Sequence, residues 1–269
     1  MSPTVVTDTV PSPGGDRPMR TTLVTDTATV FSRELRPVLR DPFSMIFSML
    51  QPLFFLALFA PLLPAVMDGG SALQWFVPGI ILMSCLFGTS ATGSNLLFEI
   101  HTGSHERMLV SPLRRPALII GRALKEIVPM FGQTALIVAV TVPFGFRLHL
   151  GGAVLGLLML AVFCVGLGAL SYTLALASKN QEWMFWAVQQ TLIFPLLLLA
   201  GMLLPLDGGP AWLRALSRLN PLTYLVDAER ALFNGEIISA TVGGGVLAAV
   251  VVAAVGLLVG TRAMRRAVA

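Results

Sequence analysis

The sequence predicts an all-α integral membrane protein with six transmembrane helices, and two observations carry that prediction. Six apolar runs (43–66, 75–98, 127–145, 151–177, 183–204 and 242–261) contain no Asp, Glu, Lys, Arg or His. Each approaches the roughly 20 residues that a helix needs to cross a ~30 Å hydrocarbon core. Composition agrees: 55% of the residues are hydrophobic and only 12% charged, with a mean hydropathy of +0.80, where soluble domains are about a quarter charged. Only helices or closed barrels satisfy their backbone groups in lipid, and continuous rather than alternating apolar runs select helices.

Residues 1–20 are rich in Pro, Gly, Ser, Thr and Asp without an apolar run, which predicts a disordered tail and no secretory signal. Residues 22–41 then place Val24, Ala28, Phe31, Leu35 and Val38 at steps of three and four, while Arg33, Arg36 and Arg40 fall elsewhere on the wheel. This pattern predicts an amphipathic helix in the membrane interface, kinked at Pro37. The third span is the shortest, and residues 121–126 are expected to form its first turns, giving 121–145. Pro52, Pro61, Pro78, Pro129 and Pro195 interrupt the runs and predict further kinks.

Basic residues orient the chain. Fourteen lie in the N-terminal segment, 99–126, 178–182 and the C-terminal tail, against four (Arg147, Arg214, Arg218, Arg230) on the opposite side. The bias places both termini in the cytoplasm. It also explains the net charge of +4 without a nucleic-acid partner. Arginine exceeds lysine 16 to 2 in an Ala-, Val-, Gly- and Leu-rich chain, the composition of a GC-rich bacterial genome, so a bacterial plasma membrane is expected. Residues 263–269 form a cytoplasmic tail.

Two polar stretches interrupt this pattern. The first is FEIHTGSHERMLVSP, 98–112, in which Glu99, His101, His105, Glu106 and Arg107 fall within nine residues. Between two spans, on the basic side, it predicts a cytoplasmic docking element. The second, 205–241, is external and amphipathic. Pro205, Gly208, Gly209, Pro210 and Asn220–Pro221 mark turns. Trp212, Leu213, Leu216 and Leu219 form one helical stripe, and Tyr224, Asp227, Ala228 and Ala231 another. Short helices that dip into the bilayer and return fit this segment, with Trp212 and Tyr224 at the interface.

Several chemistries are missing. A phosphate loop ends in Lys-Ser or Lys-Thr, but Lys125 precedes Glu126 and Lys179 precedes Asn180, so any nucleotide motor is another chain. Charge-free spans argue against an ion-coupled carrier, which keeps ionisable residues in the bilayer, although a carbonyl-built sodium site stays open. His101 and His105 share a helical face with Glu106 adjacent, but the His-Glu-x-x-His order is absent and Gly103 weakens the helix. A solvated face is read there, not a metal site. Cys85 and Cys164 lie in apolar runs and read as small buried hydrophobes. Polar residues do occur in the spans: Ser84, Thr89, Ser90, Thr92, Ser94 and Asn95 in the second, Gln133 and Thr134 in the third, Ser171 and Tyr172 in the fourth, and Gln189, Gln190 and Thr191 in the fifth. They either hydrogen-bond across packed helices, at about 0.6–2 kcal/mol each, or line a weakly polar path or subunit interface. Both readings stay open.

Four motifs now carry a family resemblance: Arg40–Asp41–Pro42 followed by Gln51–Pro52; Glu99, Gly103–Ser104, Glu106–Arg107 and Ser111–Pro112; Pro205–Leu206 with Trp212–Leu213; and Leu219–Asn220–Pro221–Leu222–Thr223–Tyr224 with Asp227 and Arg230. Over about residues 25–262 the chain resembles the permease subunits of ABC-2 type exporters, particularly the daunorubicin-resistance-like branch. Ser104 stands where threonine is usual, His101 and His105 are not family signatures, and Pro37 is unexpected. The resemblance implies a single transmembrane domain over 22–262, two permease subunits (identical or paralogous) and two ATP-binding cassette subunits, which bind the ATP and magnesium. This chain would hold no cofactor and no catalytic residue. Phe31, Leu35, Arg40, Asp41 and Pro42 would belong to an elbow helix. Glu99, Gly103, Ser104, Glu106 and Arg107 would belong to a coupling helix seated on the ATPase. Trp212, Asn220, Pro221, Tyr224, Asp227 and Arg230 would belong to external re-entrant helices that help close the exit. Ser84, Thr89, Ser90, Asn95, Gln133, Gln189 and Gln190 are candidates for the substrate path or dimer interface. The expected cargo is a hydrophobic or amphipathic small molecule. The alternatives are a lipid or polysaccharide exporter of the same build, or a scaffold that transports nothing.

Overall fold

The computed structural model describes residues 22–40, 42–59, 61, 72–103, 115–203, 205–206 and 208–266. Among these the chain is helical throughout its regular structure: α1 (Leu23–Arg40), α2 (Pro42–Phe59), α3 (Ala72–His101), α4 (Arg115–Lys125), α5 (Ile127–Thr141) with a 3₁₀ turn at Val142–Phe144, α6 (Leu150–Ala177), α7 (Glu182–Leu199), α8 (Ala211–Leu219), α9 (Pro221–Phe233) and α10 (Ala240–Arg266). Among the described residues five stretches are long and apolar enough to cross a bilayer: Ala72–His101, Pro116–Phe144, Leu150–Ala177, Glu182–Leu199 and Ala240–Arg265. The first predicted span, 43–66, begins as α2, and its residues 60 and 62–66 lie outside the described residues. So do the predicted tail 1–20 and residues 267–269 of the predicted tail 263–269, whose first four residues instead end α10.

The third span differs from its predicted bounds. Helix begins at Arg115, six residues earlier than expected, and breaks at Glu126. Pro129 explains the break: it has no N–H for the Lys125 carbonyl, and its ring crowds that carbonyl. The chain tightens instead, with Glu126 N–H donating to Ala123 O at 3.3 Å.

The bundle is built around α6, which packs against α10, α3, α4 and α9. Glycine lets α6 and α10 approach backbone to backbone. A Cβ on Gly166 would lie 2.5 Å from the Ala253 Cα, and one on Gly256 would overlap the Gly166 carbonyl. Where no hydrophobic force acts between helices in lipid, such close van der Waals contact is what holds them. The main core gathers Phe76, Ile80, Ile81, Leu86, Phe163 and Leu225 among its fully buried members; a smaller cluster at the other end joins Val30, Leu96, Leu118, Tyr172 and Phe185. Large apolar side chains on the outer faces, including Val154, Leu158, Leu192, Leu198, Leu247 and Val251, are exposed, as lipid-facing residues are.

Cys85 and Cys164 are buried and free, as read from sequence, but they are not independent. Their Sγ atoms face each other at 2.7 Å across the α3–α6 contact.

Candidate functional site

The two ends of the bundle are built differently. One end holds α1, the last turns of α3, and α4. Here α1 is amphipathic as predicted, and the face it turns to the bundle is a different one from the apolar stripe read for the membrane interface. Asp26 and Val30 are its buried residues, and Glu34 continues that line one turn on. Gly121 makes the seat, since a Cβ there would lie 2.8 Å from Val30. Val24, Ala28 and Phe31 instead line an apolar groove with Ile120, Leu124, Ile127 and Val128. Leu35 is half-buried, Arg40 exposed, and Pro37 lies inside the helix. Asp41 and the side chain of Pro42 lie outside the described residues.

Arg122 of α4 is the centre of this end. Its side chain is only 4% exposed. Its guanidinium ion-pairs with Glu99 on the last turn of α3 and lies 3.3 Å from Glu34 of α1. Its Cζ sits 5.3 Å from the ring centroid of Tyr172 on α6. One planar cation therefore ties four helices, using the fork geometry and ring stacking that a lysine lacks. A second buried cluster lies one turn on. Lys125 Nζ is 3.1 Å from Glu126 Oε1, which also accepts a 2.6 Å hydrogen bond from Thr92 Oγ1 of α3.

Glu99 and Gly103 thus stand at the rim of this end, where Gly103 adopts a left-handed φ of 68° and ends the helix. Ser104, His105, Glu106 and Arg107 lie outside the described residues. His101 points at Glu182 of α7, 3.9 Å away and exposed.

At the opposite end the expected short helices appear as α8 and α9, a helical hairpin joined at Asn220 that caps the bundle. Asn220 N-caps α9 by accepting from Leu222 N–H at 3.1 Å, and its Nδ2 donates to Leu196 O on α7 at 2.7 Å. Pro221 occupies the first helical position, where its missing N–H costs nothing. Tyr224 donates to Arg218 O at 2.7 Å. Arg230 donates to Trp75 O and Gly201 O at 3.1 and 2.8 Å, lies 3.9 Å over the Trp75 ring, and pairs with Asp227 at 3.3 Å. Trp212 is exposed. We expect Asn220→Ala to loosen this hairpin by about 1–2 kcal/mol, read as faster amide exchange in 221–226 than in α6. Unchanged exchange would remove Asn220 from the cap.

The polar span residues divide. Ser84, Thr89 and Ser90 are buried and donate to carbonyls of their own helix, at Ile80, Cys85 and Leu86. Ser171 of α6 bonds across to α3, accepting from Gly93 N–H and donating to Ser90 O at 3.1 Å each. Gln133 is buried beside Gly88. Gln189 is buried with Oε1 unpartnered among the described residues, whereas Asn95 and Gln190 are exposed.

Sequence reasoning passed over two groups. Arg122, Lys125 and Glu126 were expected to be first-turn residues but are buried, and Glu229 of α9 is 0% exposed. The signal was present. Glu229 falls in the stripe Leu222–Leu225–Val226–Leu232–Phe233, and Arg122 continues Leu118 and Ile119 at helical spacing.

A family model described as "ABC-2 type transporter" matches residues 25–234. The chain is 27% identical to the daunorubicin resistance ABC transporter permease protein DrrB1 of Streptomyces coeruleorubidus over 246 residues, 87% of each chain. It is 32% identical to the putative transport permease ycf38 of Cyanophora paradoxa, over 72% of this chain and 69% of that one. It is 25% identical to the probable doxorubicin resistance ABC transporter permease protein DrrC of Mycobacterium tuberculosis, over 83% of each. With a membrane-crossing bundle, a buried ionic joint at one end and a helical cap at the other, the chain belongs to the ABC-2 type transporter family, as a permease.

Proposed function

We propose that the chain is the transmembrane subunit of an ATP-driven exporter that moves hydrophobic or amphipathic small molecules of the anthracycline type out of a bacterial cell. Two permease subunits and two ATP-binding cassette subunits make the working unit, with both termini of this chain in the cytoplasm. The observation that carries the reading is the joint at Arg122. The 104–112 segment continues directly from α3, and Glu99 on the last turn of α3 is held through Arg122 to α1, α4 and α6. A push on that segment by a closing ATPase pair therefore reaches the elbow helix, the third span and the fourth together. At the far end the α8–α9 hairpin would close the exit. Relatives named for daunorubicin and doxorubicin resistance support the cargo class.

Co-purification tests it. Expressed with a partner ATPase of the cassette type and extracted in mild detergent, the chain should hold that partner, and hydrolysis should respond to daunorubicin. A stable complex indifferent to drugs would overturn the cargo, and a folded chain that holds no ATPase would overturn the exporter.

A further inference from the structure

Glu229 has no role in the account so far. It lies on α9 with 0% exposure, and neither carboxyl oxygen has a hydrogen-bond partner among the described residues. It faces α6 at Gly156, where a Cβ would lie 2.5 Å from Oε2, so the carboxyl as placed packs on a bare glycine and would have to swing aside for a side chain. The neighbouring glycines seat the same helix: a Cβ on Gly152 would overlap the Leu232 carbonyl, and one on Gly245 of α10 would overlap Ala228.

Among the described residues no charge pairs with it. On its own helix Arg230 is engaged by Trp75, Gly201 and Asp227, and Asp227 is half exposed. Of the elements packed against α9, α10 carries its arginines (Arg262, Arg265, Arg266) at its far end, and α3 carries Cys85 at mid-span with Glu99 and His101 at its far end. Helix α6 has Cys164 and Tyr172 further along, and His149 before its first turn bonds the Phe233 carbonyl at 2.9 Å. Helix α7 has Glu182 at its far end, and α8 has Arg214 and Arg218. Burial by itself is what acts on the Glu229 carboxyl, pushing it up to about 8.

We propose that Glu229 is a proton-binding site that couples the seating of the α8–α9 hairpin to the pH on its own side of the membrane. An isolated carboxylate is too costly to bury, so the seated hairpin holds Glu229 as the neutral acid. When α9 lifts and water reaches the carboxyl, it ionises and releases the proton. The sign follows from linkage. A group whose seated value is raised above its ordinary one (from 4.5 to about 8) favours the seated state in acid and disfavours it progressively as pH rises between those values. One proton per hairpin shifts the seated-to-lifted ratio roughly tenfold per pH unit across that window. The proposal rests on reading α8–α9 as the exit closure.

The experiment is amide exchange in residues 221–233 of the full chain in nanodiscs, at pH 5 to 8, for the native protein and Glu229→Gln. Taking the native-to-variant ratio at each pH cancels the intrinsic pH dependence of exchange. The ratio should climb roughly tenfold per pH unit and flatten near the upper end. A flat ratio, or full protection at every pH, would overturn the proposal. If Glu229→Gln does not fold, the native chain should still show a protonated-carboxyl infrared band at neutral pH that is lost in alkali, and its absence would overturn the proposal equally. Daunorubicin-stimulated hydrolysis, measured in parallel, separates the two readings: a climbing ratio without stimulation keeps the proton site and removes the exporter.

Discussion

Arg122→Met is expected to abolish substrate-stimulated ATP hydrolysis by the complex and to lower the thermal midpoint of the purified chain. The methionine fills much of the space but strands Glu34 and Glu99, whose side chains are 12% and 21% exposed, facing each other without a cation. Breaking a buried pair by removing one partner costs about 3–5 kcal/mol. The partial exposure of both carboxylates places the expected loss at the low end of that range. Arg122→Lys should fall between native and methionine, because a lysine keeps the charge but cannot hold two carboxylates in a fork while stacking on Tyr172. A lysine variant indistinguishable from native would mean that the fork geometry is irrelevant.

Gly256→Ala is expected to remove the folded chain from the membrane almost entirely. Its new methyl would overlap the Gly166 carbonyl, and Gly166 itself lies against the Ala253 backbone. Neither neighbour is a side chain that can rotate away, so α10 must move off α6. Overpacking in a core costs about 1–3 kcal/mol when side chains can adjust, and a backbone obstacle lies at or above the top of that range. Gly260→Ala, one turn on, is the control. A Cβ there would meet the Ala169 carbonyl and Thr173 Oγ1 at 3.4 Å, ordinary contact, and should leave folding intact. Equal yields of both variants, measured as monodisperse protein after detergent extraction, would refute this account of the α6–α10 crossing.

Much of the architecture was legible because membrane insertion writes itself into sequence as charge-free runs. The Asn220–Pro221 pair was legible as a turn for a local reason, since such a dipeptide needs no tertiary partner to be recognised; the structure adds that Asn220 caps α9 and Pro221 opens it. Helix α1 was legible as amphipathic but not in its packing. Sequence hydropathy picked out the stripe with Val24 and Ala28 but not the bundle-facing line Asp26, Val30 and Glu34, which packs because the opposing surface offers Gly121 for Val30 and Arg122 for Glu34. Arg122 and Glu229 share that difficulty. A charged residue in an apolar stripe reads as an interruption until the partner, or the lack of one, is seen. Arg122 has two carboxylates brought from 88 and 23 positions away in the chain, and Glu229 has no partner among the described residues. The third-span helix starts at Arg115 rather than 121, and Arg122, Lys125 and Glu126, read as its first turns, are buried with Arg122 paired to Glu99 and Lys125 to Glu126.

The measurement that tests the joint most directly is drug-stimulated hydrolysis by a complex carrying Glu34→Gln, Arg122→Met and Glu99→Gln together. With no charge left stranded, this variant should fold, bind its ATPase and melt close to the native complex, yet hydrolyse ATP at a rate that daunorubicin no longer changes. A triple variant that assembles and responds to the drug as the native complex does would contradict the claim that this ionic joint carries motion from the 104–112 segment into the spans.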